Sequence, residues 1–212
     1  MAVEPGRLRP RLGERLLIVG LGLMGGSLAL AARRAGLFAQ VIGHSRSAAT
    51  LAQGLREGVI ERAVPELPAA LAELTPGDVV VICVPTLSLP AVLAAVREHA
   101  APGVTVTDVA SVKGSVVAAA RAVYGGVPPQ LVPGHPIAGS EKSGVGAARA
   151  ELFVHHEVIL TPLAETDPVH LARVRMLWEG AGARVSEMTP QAHDAVLAAT
   201  SHLPHMLAFG LV

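Results

Sequence analysis

A chain of 212 residues suffices for one α/β domain with a substantial core, or for one domain and the beginning of another. With 51% hydrophobic and 16% charged residues it is not a disordered chain. Its 17 basic and 17 acidic side chains exclude a nucleic-acid binder that relies on bulk charge. The single cysteine, Cys83, excludes an internal disulfide and a cysteine-based zinc cluster. No run approaches the ~20 apolar residues of a membrane span. The basic, Pro-containing start Met1–Arg11 has no apolar stretch behind it, as a signal peptide would. A cytoplasmic protein without membrane or nucleic-acid partners is expected. Aromatic residues are only 2%, so Ala, Val and Leu must fill the core.

In chain order, Arg15–Val19 is a short apolar run that ends in glycines, and an Ala-rich helix follows over Met24–Ala35, closed by Gly36. A second strand fits Gln40–His44 and a helix Ser47–Glu57. Asp78–Val84 is a continuous β-branched run, the pattern of a strand buried on both faces of a parallel sheet, and Pro85 ends it. Cys83 lies in this run as a small buried hydrophobe. A helix is expected over Leu89–Ala100, a strand over Val104–Asp108 and a helix over Lys113–Val123. Later units are less regular: strands at Leu131–Gly134, His156–Thr161 and Arg184–Met188, with a helix over Pro168–Ala181. This alternation implies a doubly wound parallel sheet of Rossmann type. At Thr189, an N-cap followed by Pro190, a helix starts that runs toward the C-terminus with an interruption at Pro204. The expected division is a Rossmann domain over residues 1–189 and the first helix of a truncated all-α domain over residues 190–212.

Gly20-Leu21-Gly22-Leu23-Met24-Gly25 has the spacing G-x-G-x-x-G between a predicted strand and a predicted helix, the setting in which this pattern binds a dinucleotide. Gly20 permits the tight turn, Gly22 lets backbone approach a pyrophosphate, and Gly25 lets helix and strand pack closely. The N-terminus of the helix adds free N–H groups and a positive dipole. At the end of the second strand, an acid would bind the ribose 2′-hydroxyl of NAD. Here the segment is His44-Ser45-Arg46, with no acid, and Ser45 and Arg46 can receive a 2′-phosphate instead. NAD or NADP is therefore expected, with NADP favoured.

Three further segments lie at strand ends or in the last helix. In Asp108-Val109-Ala110-Ser111-Val112-Lys113-Gly114, the Ser111 hydroxyl, the Lys113 ammonium and a helix N-terminus point toward one crevice, unless Ser111 is only an N-cap. Gly134 through Gly144 holds His135 between Gly and Pro, hence in extended backbone, ahead of a small polar loop with Ser140 and Glu141. Thr200 through His205 places His202 and His205 on one face of a helix kinked by Pro204.

Together, GLGLMGGSLA from Gly20, DVASVKG from Asp108, GHPIAGSEKSG from Gly134 and ATSHLPH from Ala199 resemble the prephenate dehydrogenase family, which includes cyclohexadienyl and arogenate dehydrogenases. The resemblance implies an oxidoreductase of tyrosine biosynthesis, a homodimer acting on prephenate or arogenate. Hydride leaves ring C4 for the nicotinamide, the C1 carboxylate is lost as CO2 and the ring becomes aromatic. Catalytic residues by this resemblance are His135, which accepts the proton of the 4-hydroxyl, Ser111, which bonds the same hydroxyl or holds His135, and His202, which faces the substrate. Ser140, Glu141 and His193 are expected on the substrate side, His193 also as part of a supporting polar network. The cofactor set is Gly20, Gly22, Leu23, Met24, Gly25, Ser45, Arg46, Val84 and Pro85. No metal is implied. Two other readings compete: a cofactor-binding module without catalysis, and a dehydrogenase of a 3-hydroxy acid. The latter needs a catalytic lysine where this chain carries His202 and His205.

Overall fold

The computed structural model describes residues 11–199. Its main sheet contains β1 (Gly13–Val19), β2 (Phe38–His44), β3 (Arg62–Ala63), β4 (Val79–Ile82), β5 (Thr105–Asp108) and β6 (Leu131–Val132). All pair in parallel, in the order β3-β2-β1-β4-β5-β6. The helices α1 (Leu23–Arg34), α2 (Ala48–Arg56), α3 (Leu67–Ala72), α4 (Leu89–His99) and α5 (Lys113–Tyr124) are the crossovers. The chain moves outward from β1 in one direction and then, from β4, in the other. The β1–β4 junction is thus the topological switch point, where ligands bind beyond the carboxyl ends of the strands.

Because side chains alternate across a strand, each central strand feeds two cores. Leu16, Ile18, Val79 and Val81 face one layer with Leu28, Phe153 and Trp178. Leu17, Val19, Val80 and Ile82 face the other with Leu93, Val116 and Ala120. The few aromatic residues are used where bulk is needed: Phe153 and Trp178 meet edge-on with ring centroids 5.1 Å apart. The expected end signals hold. After α1, Gly36 adopts φ +63°, with Gly36 N–H donating to Arg33 O and Leu37 N–H to Ala32 O, the paired bonds of a Schellman close. Ser47 caps α2 by accepting from Thr50 N–H.

The sequence expectation is corrected in three places. Neither β3, a two-residue edge strand paired only with β2, nor the single short helix α3 was expected, since neither is long enough to show a periodic pattern. The expected strand Leu131–Gly134 is divided at Pro133. Proline has no N–H to extend the ladder on β5, so β6 stops at Val132 and β7 (Gly134–Pro136) begins a second sheet. Its strands run β7-β8-β9, where β8 is Glu157–Leu160 and β9 Arg184–Glu187; β7 pairs antiparallel with β8, and β8 parallel with β9. Alternation with helix α6 (Pro168–Gly180) had implied one parallel sheet throughout. Finally, α7 (Pro190–Leu197) starts as expected, with the Thr189 hydroxyl accepting from Ala192 N–H. The kink at Pro204 lies outside the described residues. Among those described, no helix is long and apolar enough to cross a membrane.

Candidate active site

The strand ends are joined into a continuous ledge. Gly20 N–H donates to His44 O, Cys83 N–H to Val19 O at 2.7 Å, and Val109 N–H to Ile82 O. A cleft of about 700 Å³ opens over it, lined by the glycine turn, by His44, Ser45, Arg46, Ser47 and Thr50 from the β2–α2 segment, and by Cys83, Val84 and Pro85 after β4. Of the expected cofactor residues, Gly20, Gly22, Ser45, Arg46, Val84 and Pro85 line this cleft. Leu23, Met24 and Gly25 form the first turn of α1 behind it.

The three glycines of the turn do three different things. Gly20 has φ +104°, and a Cβ there would meet the Cys83 carbonyl oxygen at 2.6 Å. A Cβ on Gly25 would lie 2.2 Å from the Gly20 carbonyl oxygen and 2.8 Å from Ile18 Cγ2, so α1 sits on β1 at glycine distance. A Cβ on Gly22 meets nothing within 4 Å. Gly22 is also the N-cap of α1, with no side-chain cap and no acidic residue in the first turn. The orphan N–H groups of that turn are left to an anion. A pyrophosphate fits this cradle: open space over Gly22, helix N–H groups beneath, and no carboxylate to repel it.

At the far end of the cleft, Arg46 is exposed beside half-buried Ser45. The Ser45 hydroxyl accepts from Ser47 N–H. Among the described residues Arg46 has no ion pair. Cys83 lines the cleft but is half-buried. Burial, helped by the Asp108 charge, pushes its thiol pKa well up, so it stays protonated and offers no thiolate.

Beyond β5 a second polar cluster forms around Asp108 and Lys113, whose side chains are 1% and 0% exposed. The Lys113 ammonium donates to Asp108 Oδ2 and to the Gly134 carbonyl. Asp108 in turn accepts from Ala110 N–H at 2.8 Å and from Gly134 N–H at 3.3 Å. Both backbone groups of Gly134 are thereby clamped, and the next residue is His135. The expectation that the Lys113 ammonium points into the crevice is corrected: it is consumed by this buried clamp. Burial pulls the Lys113 pKa down, against the opposing effect of Asp108. Ser111 is exposed in the turn between the two. It does not cap α5, whose N-cap is Val112 with no side-chain bond of its own.

The missing cap comes from across the fold. Asp194, on α7, accepts from Lys113 N–H at 2.8 Å and from Gly114 N–H at 2.7 Å. A Cβ on Gly114 would lie 2.9 Å from Asp194 Oδ2, so glycine is what lets the carboxylate approach. Asp194 Oδ1 also lies 2.8 Å from His193 Nδ1, and His193 Nε2 lies 2.9 Å from His135 Nδ1. The two rings meet edge-on with centroids 5.1 Å apart. Burial alone would raise the Asp194 pKa. The bonds from His193, Gly114 and Lys113 outweigh it and hold the carboxyl below the usual range. His193 is 0% exposed, so it meets His135 from behind rather than opening to solvent. His135 is half-buried.

The structure therefore brings His135, His193, Asp108 and Lys113 into one network and adds Asp194, which sequence reasoning missed. An acid one residue after a helical histidine was the available signal, but its partners lie about 80 residues back in the chain. Ser140 and Glu141 sit in the exposed loop after β7, where the Ser140 hydroxyl bonds Glu141 and accepts from Lys142 N–H. They are not joined to the histidine network by these bonds. Arg33 and Arg34 of α1 pair with Glu61 and Glu151. His202 lies outside the described residues.

Comparison with known proteins agrees with this geometry. Residues 28–187 match the family model described as prephenate dehydrogenase, nucleotide-binding domain. The chain is 35% identical over 202 residues to a cyclohexadienyl dehydrogenase of Zymomonas mobilis, covering 94% of this chain and 66% of that protein. It is 36% identical over 205 residues to a prephenate dehydrogenase of Bacillus subtilis, covering 94% of this chain and 53% of that one. It thus spans between about half and two thirds of these curated relatives. A prephenate dehydrogenase of Aquifex aeolicus, solved with hydroxyphenyl propionate and NAD+, superposes with a TM-score of 0.86 at 35% identity, covering 93% of this chain and 68% of that one. An arogenate dehydrogenase of Synechocystis superposes with a TM-score of 0.81 at 34% identity, covering 93% and 67%. With a dinucleotide cradle at the switch point and matches of this extent, the chain belongs to the prephenate dehydrogenase family, to which it is matched through the nucleotide-binding domain.

Proposed function

We propose that this protein carries out the oxidative decarboxylation of prephenate, of arogenate, or of both, with NAD(P) as acceptor. The observation that carries the reading is the placement of His135. It is fixed by the Asp108–Lys113 clamp on Gly134, at the carboxyl end of β5, with its Nδ1 engaged by His193. When bound, the nicotinamide supplies the hydride acceptor. The chain's own residues position and take protons. His135 accepts the proton of the ring 4-hydroxyl as the C4 hydride departs. Ser111, in the turn after β5, bonds that hydroxyl, and Ser140 and Glu141 line the entrance over the ring. Loss of the C1 carboxylate as CO2 makes the ring aromatic, so the step is strongly downhill and needs orientation and a base more than electrophilic help. Cytoplasmic location and homodimeric assembly belong to the same reading.

Replacing His135 with Asn is expected to lower kcat about 10²–10⁴-fold, the usual contribution of a positioned base. Dinucleotide affinity by calorimetry should be unchanged, because the cradle does not involve His135. Reduced-cofactor absorbance with prephenate, then with arogenate, reads the rate; full turnover by His135→Asn would remove the base.

For the cofactor, the exposed Arg46 beside Ser45, Ser47 and Thr50 supports NADP over NAD. A 2′-phosphate there gains charge-assisted hydrogen bonds, each about 1.5–3 kcal/mol. Arg46→Ala is expected to weaken NADP binding by roughly tenfold or more and leave NAD within about twofold. Equal loss for both cofactors would instead place Arg46 on the adenine they share.

A further inference from the structure

We propose that Asp194 is a positioning residue that acts through His193 to fix the tautomer of His135, leaving the His135 lone pair on Nε2. The inference rests on the reading of His135 as the proton acceptor and adds what prepares it. A carboxylate offers only acceptors. Asp194 already receives Lys113 N–H and Gly114 N–H, at 2.8 and 2.7 Å, and these two donors favour its ionised form. At 2.8 Å from Asp194 Oδ1, His193 Nδ1 must therefore carry a hydrogen. In its neutral form the wholly buried His193 then presents Nε2 as an acceptor. His135 Nδ1, 2.9 Å away, must donate to it. Each bond dictates the direction of the next, and the sequence ends with an unprotonated Nε2 on His135.

In the opposite arrangement, with the proton on His135 Nε2, that nitrogen has no lone pair for a substrate hydroxyl. His135 Nδ1 would then accept from His193 Nε2–H, and His193 Nδ1 would turn a lone pair toward the Asp194 carboxylate. That lone-pair contact at 2.8 Å is what the network excludes. Proton uptake balances simply: the hydroxyl proton moves to His135 Nε2, giving an imidazolium. Its Nδ1–H remains bonded to His193, and the Asp194 carboxylate lies behind as counter-charge.

The same carboxylate caps α5, so a variant of Asp194 removes a helix cap as well as the lock. His193→Phe separates the two, since it keeps Asp194 against Lys113 and Gly114 while removing the connection to His135. Imidazole tautomers are read directly, without substrate, from long-range proton–nitrogen correlations on the ¹⁵N-labelled chain. The expected wild-type spectrum has His193 and His135 both protonated at Nδ1. In Asp194→Ala and in His193→Phe, His135 should move toward the Nε2–H form. With prephenate or arogenate and the dinucleotide, both variants should lose about 10²-fold or more in kcat with KM nearly unchanged. Wild-type His135 protonated at Nε2, or a His135 signature unmoved in His193→Phe, overturns the proposal. These outcomes are independent of His135→Asn. Full turnover by that variant would remove the base yet leave the tautomer assignment to the spectra, and an unmoved spectrum would remove the lock while the base stands.

Discussion

Lys113→Met is expected to lower the free energy of unfolding by about 3–5 kcal/mol. The cause is what it leaves behind. Asp108 is 1% exposed, and its carboxylate would lose the only side chain paired with it among the described residues. The Gly134 carbonyl would lose its ammonium donor at the same time. Methionine fills the volume, so the loss measures an uncompensated buried charge rather than a cavity. Adding Asp108→Asn should restore most of the stability, because replacing both members of a buried pair is far milder than replacing one. Urea unfolding of the two single variants and the double variant closes the cycle. A Lys113→Met variant as stable as wild type but inactive would mean that the ammonium works on substrate, as the sequence alone suggested.

The second large effect separates two glycines of one motif. Gly25→Ala should destabilise by at least the ~1–3 kcal/mol of an overpacked core. The new Cβ faces a backbone oxygen at 2.2 Å, and neither β1 nor α1 can yield without breaking the Gly20 turn. Gly22→Ala places its methyl in open cleft, so thermal unfolding should stay within about 1 °C of wild type, while dinucleotide affinity should fall by roughly tenfold or more. If Gly22→Ala binds the cofactor normally, the pyrophosphate does not sit over Gly22. If Gly25→Ala melts like wild type, helix–strand contact is not what requires glycine at that position.

The nucleotide half of the site was legible in the sequence because its requirements are local. The turn geometry, the cradle and the 2′ segment are each written within a few consecutive residues, from Gly20 to Gly25 and from His44 to Ser47. The buried parallel strands were equally plain, since Val79–Ile82 has no polar face to disguise it. What was not legible depends on pairing across the chain. The direction of the Lys113 side chain is set by Gly134. The division of the sheet at Pro133 is set by which strand receives Gly134 and Thr161. The cap of α5 is supplied by Asp194. A sequence shows that Lys113 and Asp194 are charged; only the fold shows that one is buried against Asp108 and the other rests on a helix end. The expectation of chemistry at His135 came from the family resemblance, which says nothing of the route by which its ring is held.

The reach of Asp194 also bears on how this chain can bend. Composition changes at Thr189, where the strand β9 gives way to α7, and a hinge is naturally looked for there. Yet the opening of α7 is stitched to the sheet side by two bonds to one carboxylate and by a histidine pair to β7. Rotation at Thr189 would uncap α5 and pull His193 off His135 in the same movement. A motion that keeps His193 on His135 must therefore pivot beyond Asp194, and α7 moves with the nucleotide-binding body.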